Sequence, residues 1–431
     1  MVLTMSNCND ETVKNPKNII LFIGDGMGYN HVDAASYYQY GERGKQVYEQ
    51  FPVKLGMSTH QVNGVKYCSD SAWVNFKFVK KKPTDSGAAG TAMATGVKTY
   101  NGAIAVDSSK NRLETVVETA EKTGRATGIV TTVPLSHATP AAFAAHNEKR
   151  YHYNEIAREM ILESAVDVIM GAGHPFYNPD GSLIEGAKKR VIGKKELWDM
   201  ENDGAGSDEE NKNKKANYKY VGSKETWELL VSGKAGADAD GDGDADPWSF
   251  IEDRELFQKY MTGDTPKRVM GIYKNSVTTQ IERNMKGDTG IPYSVPLLET
   301  IPTLTEMTIA AVNILDEDPE GFFLMVEGGA IDWASHANTL NRMIEEMVDF
   351  NESVDAVCEW VETYSNWDET LLIVTADHET GYLLGPGSNS EAEPESWLPL
   401  KNNGKGMMPG VEWYSTHHTN SLIPFYAKGA G

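Results

Sequence analysis

The 431-residue chain has only three cysteines, Cys8, Cys68 and Cys358. They are too few and too scattered for a disulfide framework: one bridge would leave a thiol over. None stands in a CxxC pair, so no thiolate zinc site is expected. Positive charge is scarce as well, with 40 Lys and Arg against 62 Asp and Glu, a net charge of −22. Such a surface repels nucleic-acid phosphates and argues against DNA or RNA as a partner. It would also slow an anionic substrate unless metal ions or arginines invert the potential locally. No apolar run approaches the roughly 18 residues that span a bilayer, so a soluble chain is expected. The N-terminus lacks a basic segment followed by an apolar one, and the first strand-like run is Asn18–Ile23. A removed export signal would leave the same appearance, so composition leaves the compartment open. No internal repeat is present.

Composition is otherwise that of a globular protein, 40% apolar and 24% charged. Four short apolar runs each end in small and polar residues: Asn18–Gly24 before Asp25, Gly128–Val133 before His137 and Thr139, Phe322–Val326 before Glu327, and Leu371–Thr375 before Asp377. Continuous apolar strands of this kind suggest a mostly parallel sheet covered on both faces, with ligands beyond the carboxyl ends of its strands. Helical patterns fall between them, at Leu113–Lys122, Tyr153–Ser164 and Ile344–Tyr364. Residues 190–295 break the rhythm and read as an insertion on the sheet rather than as core.

Several constellations carry chemistry. Asp25 stands between glycines, which allow close backbone approach to a ligand, although a turn aspartate has the same look. Ser86 begins a Gly- and Ala-rich helical run, where a serine is either a helix cap or a nucleophile. A helix start also offers free N–H groups to an oxyanion. Arg150 can hold two oxygens of a phosphate through its planar fork, or it can be a surface ion-pair partner. Asp332 and His336 are four apart and share one face of a helical turn, fit for a cation or for a salt bridge. With Asp377-His378 and His417-His418 they make an oxygen and imidazole donor set that suits zinc, manganese or magnesium. Donor segments from distant parts of the chain, all at strand ends, favour a two-metal site, an arrangement suited to in-line phosphoryl displacement. Asp238, Asp240, Asp242, Asp244 and Asp246 alternate like a calcium loop, but Ser249 occupies the place of the closing glutamate. A solvated acidic loop is the plainer reading there.

Together these segments resemble the alkaline phosphatase family. Asp85-Ser-Gly-Ala-Ala-Gly-Thr-Ala-Met-Ala-Thr-Gly-Val-Lys-Thr99, His137-Ala-Thr-Pro, Glu327-Gly-Gly-Ala-Ile-Asp-Trp-Ala-Ser-His336, Thr375-Ala-Asp-His378 and His417-His-Thr419 follow the family's order. The resemblance covers residues from about 18 to 190 and 295 to 428. It implies a three-layer α/β/α sandwich with a mostly parallel central sheet, one domain over 1–431 with an inserted segment near 190–295. It also implies hydrolysis of a broad range of phosphate monoesters at alkaline pH, through a phosphoserine at Ser86. Two Zn2+ and one Mg2+ per subunit are implied: Asp332, His336 and His418 for one zinc, and Asp25, Asp377 and His378 for the other. Asp25, Thr139 and Glu327 are implied for magnesium. Arg150 would bind phosphate beside His137 and Trp333. His418 is preferred to His417 because the family's ligand directly precedes a threonine or alanine. A homodimer and periplasmic or secreted localisation come from the same resemblance, and calcium at the 238–246 loop is a further candidate.

Two positions depart from the pattern. Some bacterial members carry aspartate where His137 stands and lysine where Trp333 stands. Loss of those charges implies weaker magnesium binding and faster phosphate release. A phosphodiesterase or cofactor-independent phosphoglycerate mutase of the same superfamily is the competing enzyme class, and Arg150 at its matched place favours monoesters.

Overall fold

A computed structural model describes residues 15–192, 195–200, 215–239, 242–284 and 286–431. Among these, nine strands form one sheet: β1 Asn18–Gly24, β2 Val53–Met57, β3 Ala126–Pro134, β4 Val168–Ala172, β5 Ser249–Ile251, β6 Val269–Ile272, β7 Phe322–Gly328, β8 Thr370–Ala376 and β9 Ile423–Gly429. Their order across the sheet is β2-β9-β8-β1-β7-β3-β4-β6-β5. Pairing is parallel from β8 to β5, and only β9 runs antiparallel to its neighbours. The expected three-layer sandwich with a mostly parallel sheet is therefore what the chain forms.

The four runs read as strands are strands because both of their faces are covered. Along β7, Phe322, Leu324 and Val326 pack on one side with helices α5 (Leu304–Leu315) and α7 (Leu340–Tyr364). Phe323 and Met325 pack on the other with Phe143 of α3 (Ala138–Ala144) and Ile156 and Met160 of α4 (Tyr153–Leu162). Deleting one such large buried side chain costs about 3–5 kcal/mol. The helix expected at Leu113–Lys122 starts only at Val116, because Thr115 caps it and exchanges hydrogen bonds with Glu118.

The stretch 190–295 departs from expectation. It supplies β5 and β6, the far edge of the main sheet, and it buries Trp227, Trp248 and Phe257. Strands of three and four residues are too short to show a period in sequence. Of the cysteines, Cys68 and Cys358 are free, and Cys8 lies outside the described residues. Among the described residues, no helix is long and apolar enough to cross a membrane.

Register fixes what stands at the strand ends. Gly24 pairs with Ala376 on one side and Gly328 on the other, so Asp25, Glu327 and Asp377 emerge side by side. Thr131 of β3 pairs with Glu327.

Candidate active site

Asp25 and Asp377 leave adjacent strands, and the turn after Asp25 is tied down when the Gly26 N–H donates to Asp377 Oδ1 at 3.1 Å. Gly26 has φ +75°, and a Cβ there would lie 2.9 Å from the Asp332 Cα, so only glycine lets the turn pass this close to α6 (Ala330–His336). Asp25, Asp377 and His378, all buried, bring one donor atom each within 4.8 Å of one another. A second group of the same kind is Asp332, His336 and His418. His336 Nε2 lies 3.3 Å from Asp332 Oδ2 and 3.0 Å from His418 Nε2, and the rings of His378 and His418 stack at 3.6 Å. His418 reaches this place through a short antiparallel pairing of Glu379–Thr380 with His418–Thr419. His417 is exposed and stands outside the cluster.

Ser86 opens helix α2 (Ser86–Thr95), but it is not the cap. Asp85 takes that role, accepting from Ala88 N–H at 2.9 Å. The Ser86 hydroxyl is thus spared for other work, 3.3 Å from His378 Nε2. Close approach to α2 explains its small residues: a Cβ on Gly90 would meet the Ala142 Cβ of α3 at 3.1 Å. That helix pair sets Thr139 opposite Glu327. Asp85 also holds Arg150, whose Nη1 lies 3.0 Å from Asp85 Oδ2 while its Nε has no hydrogen-bond partner. The buried guanidinium is therefore aimed rather than free to rotate. An open cleft of about 1240 Å³ lies over these groups, lined by Ser86, His137, Arg150, Tyr151, Trp333 and His418 among others. The His137 ring stacks on Tyr153 at 6.0 Å and meets Trp333 edge-on at 5.5 Å.

The electrostatics are those of a site built for cations. Burial, reinforced by the neighbouring carboxylates, raises Asp25 well above the usual carboxylate range. Burial likewise lifts Asp377 and Glu327 to about 7. Asp332 is held low against its own burial by His336 and His418. His336 rises to about 9, because its bond to Asp332 outweighs desolvation. Burial and then Arg150 depress His137 to about 3, which keeps it neutral. Asp25 Oδ1, Asp377 Oδ2, Glu327 Oε1 and Thr139 Oγ1 are buried with no hydrogen-bond donor. Buried polar atoms without partners are costly, and oxygen and imidazole donors facing one another are the set a divalent cation satisfies.

Three positioning residues carry no signal of their own in the sequence. Asp85 fixes Arg150; Thr131 donates to Glu327 Oε2; Thr380 donates to Asp332 Oδ1 at 2.5 Å. Only the registers of β3 with β7 and of the His418 segment bring them into place. At the acidic loop, Asp238, Asp242 and Asp246 turn carboxylate oxygens to the N–H groups of Gly243, Asp244 and Ala239, at 3.0, 2.8 and 2.9 Å. Asp240 lies outside the described residues.

A family model described as alkaline phosphatase matches residues 16–240 and 234–415. Alkaline phosphatase 3 of Bacillus subtilis is 31% identical over 380 residues, 86% of this chain, and the chain spans 62% of that relative's length. Alkaline phosphatase of Escherichia coli K12 is 31% identical over 439 residues, covering 96% of this chain and 82% of the relative. Among solved structures, the alkaline phosphatase of the Antarctic bacterium TAB5 superposes with a TM-score of 0.61 at 25% identity, covering 97% and 93% of the two chains. A mutant of that enzyme, also 25% identical, has been solved with magnesium bound in its M3 site.

Proposed function

The chain belongs to the alkaline phosphatase family, and from that premise we propose that it hydrolyses phosphate monoesters at alkaline pH through a phosphoserine at Ser86. One observation carries the reading: the Ser86 hydroxyl, the Arg150 guanidinium and both carboxylate–imidazole groups converge under one open cleft. Asp332, His336 and His418 would hold one zinc, and Asp25, Asp377 and His378 the other. Asp25, Thr139 and Glu327 would hold magnesium, a choice supported by the partnerless oxygens of all three. Bound divalent cations supply the positive charge that neutralises phosphate and lowers the pKa of the attacking hydroxyl.

Ser86 Oγ forms its bond to phosphorus as the bond to the ester oxygen breaks, and the alcohol leaves after gaining a proton. Water then cleaves the phosphoserine, giving inorganic phosphate and restoring the hydroxyl. Arg150 grips two equatorial oxygens with its fork, held in plane by Asp85. The positive end of α2 faces the same oxygens. His137 and Trp333 wall the phosphate pocket without adding charge. The size of the cleft supports a broad range of alcohols.

We read the chain as one domain of this family, exported and homodimeric. Self-association is supported by Val53 and Leu55, exposed on edge strand β2 beside Tyr29; a monomeric mass in light scattering would remove that part. For the activity, Ser86→Ala should abolish both p-nitrophenyl phosphate hydrolysis and the acid-stable phosphoserine. Label trapped on another residue, or preference for the bis(p-nitrophenyl) diester, overturns the reading.

A further inference from the structure

Helix α7 carries a second group of acidic residues, none of which lines the catalytic cleft. Glu345, Glu346, Asp349 and Glu352 recur at helical spacing and line one cavity of about 260 Å³ with Gln280 and Tyr293. Like charges three and four residues apart on one helical face repel, and burial strengthens the repulsion.

Their partners are unequal. Glu345 is fully engaged, by the Tyr293 N–H at 2.6 Å and by Arg342 and Arg283 at 2.9 and 2.8 Å. Arg342 also serves Asp288 at 3.0 Å. Asp349 accepts from the Leu304 N–H at 3.1 Å. Glu346 is only 5% exposed, borders the cavity, and accepts a hydrogen bond from no described residue. Arg283 and Arg342 thus bond Glu345 and Asp288, Glu352 is exposed, and among the described residues no cation bonds Glu346 or Asp349. An ionised buried carboxylate with neither donor nor counter-charge is not sustainable.

We propose that this cavity is a divalent-cation site of the calcium class, with Glu346 and Asp349 as its anionic donors and Glu352 at its mouth. The donors are all oxygen, with no imidazole or thiolate, which selects a hard cation over zinc. No three of their carboxylates bring donor atoms within 4.8 Å of one another, as the two strand-end groups do. A loosely spaced oxygen set suits an ion that keeps several waters, each of which needs about 30 Å³. Such an ion would pin the chain around Gln280–Arg283 and Tyr293–Thr303 to α7. Ile281 and Glu282 of that segment form part of the wall of the catalytic cleft, so the cation would stiffen the wall from behind without touching substrate.

The test uses the full chain, saturated with zinc and magnesium and stripped of calcium by resin, and titrated with calcium chloride. The expected result is one calcium site that disappears in Glu346→Gln and weakens at least tenfold in Glu352→Gln. The thermal midpoint should rise with calcium in the parent and not in Glu346→Gln. Glu346→Gln keeps the shape and removes the buried charge, so it should fold at least as well as the calcium-free parent. Should it fail to fold, Glu352→Gln, at the exposed mouth, reads the same site. Calcium stoichiometry unchanged by these substitutions, as binding at the 238–246 loop would give, overturns the proposal. So does a parent that binds no calcium.

Discussion

At the carboxyl edge of the sheet, Asp25, Glu327, Asp332 and Asp377 are buried among His336, His378 and His418; along α7, Glu345, Glu346 and Asp349 sit with Arg283 and Arg342. Burial raises carboxylates in both regions, Asp377 and Glu327 to about 7, Asp349 to about 7 and Glu346 to about 8. The difference lies in the basic partner. A neutral imidazole offers a lone pair to a metal, whereas a guanidinium is a permanent cation with no lone pair to give. The strand-end region is therefore open to exchangeable cations at its centre. The α7 region is part-neutralised by fixed charge and has room for a cation only where the arginines fall short. On the two proposals, equal acidity in two places gives a reaction centre in one and a structural clasp in the other.

The largest contrast should come from making the same change in each. Asp377→Asn and Glu346→Gln both replace one buried carboxylate by its amide. Losing a group that merely orients a metal ligand costs about 10–100-fold, so losing the donor Asp377 should cost more, on the order of 10³-fold in kcat/KM. Glu346→Gln should leave kcat/KM within about twofold, since Glu346 does not line the cleft. Steady-state kinetics with p-nitrophenyl phosphate, at saturating zinc and magnesium, measures both. Comparable losses in the two variants would erase the distinction.

A smaller effect separates the regions by pH. Burial first, then Asp349 and Glu345, push Glu346 up, while Arg283 and Arg342 oppose them. Burial and the charges of Glu352 and Glu306 push Asp349 up, against the Leu304 N–H and Arg254. Both folded-state values lie above the ordinary carboxylate range near 4, so the folded chain holds protons that the unfolded chain has released. The stability they contribute is full below about pH 4 and is lost as pH rises through about 7 for Asp349 and about 8 for Glu346. Denaturation of calcium-free, zinc- and magnesium-loaded protein should show a midpoint falling between those limits. The slope should shrink by up to one proton, about 1.4 kcal/mol per pH unit, in Glu346→Gln. Calcium should flatten it too. A slope identical in parent and variant would show that Glu346 stays ionised.

The two regions also differ in how far the sequence discloses them. The strand-end donors are visible because each follows an apolar run, where a charged residue has no packing reason to stand. The same logic found β1, β3, β7 and β8, which are apolar on both faces. It does not reach β2, β4, β5, β6 or β9; β5 and β6 are too short to show a period, so their stretch reads as an insertion. Glu345, Glu346 and Asp349 were hidden inside Ile344–Tyr364, where acidic residues between apolar ones look like the wet face of an amphipathic helix. Glu345 and Glu346 are buried, and Asp349 half-buried, because the segments around Arg283 and Tyr293, far away in sequence and without regular structure, fold over that face. Asp85 gives no separate signal for a related reason: a cap and a clamp on Arg150 are one side chain seen from two directions.

The smallest effect concerns fixed positive charge inside the catalytic cleft. Arg150 and Arg342 are buried cations lining it, and Trp333, half-buried and edge-on to His137, occupies a place where a further one could stand. The comparison with α7 gives the direction of change: an added fixed cation should hold anionic product more tightly and leave less for exchangeable metal to do. Trp333→Lys should therefore lower the inhibition constant for inorganic phosphate by about threefold to tenfold, the worth of a partly exposed ion pair of about 1 kcal/mol. Turnover should fall in step wherever phosphate release limits it. Product-inhibition kinetics across a range of sodium chloride checks the sign, because the gain must fade as salt screens the new charge. An inhibition constant indifferent to the lysine would mean that phosphate does not approach Trp333.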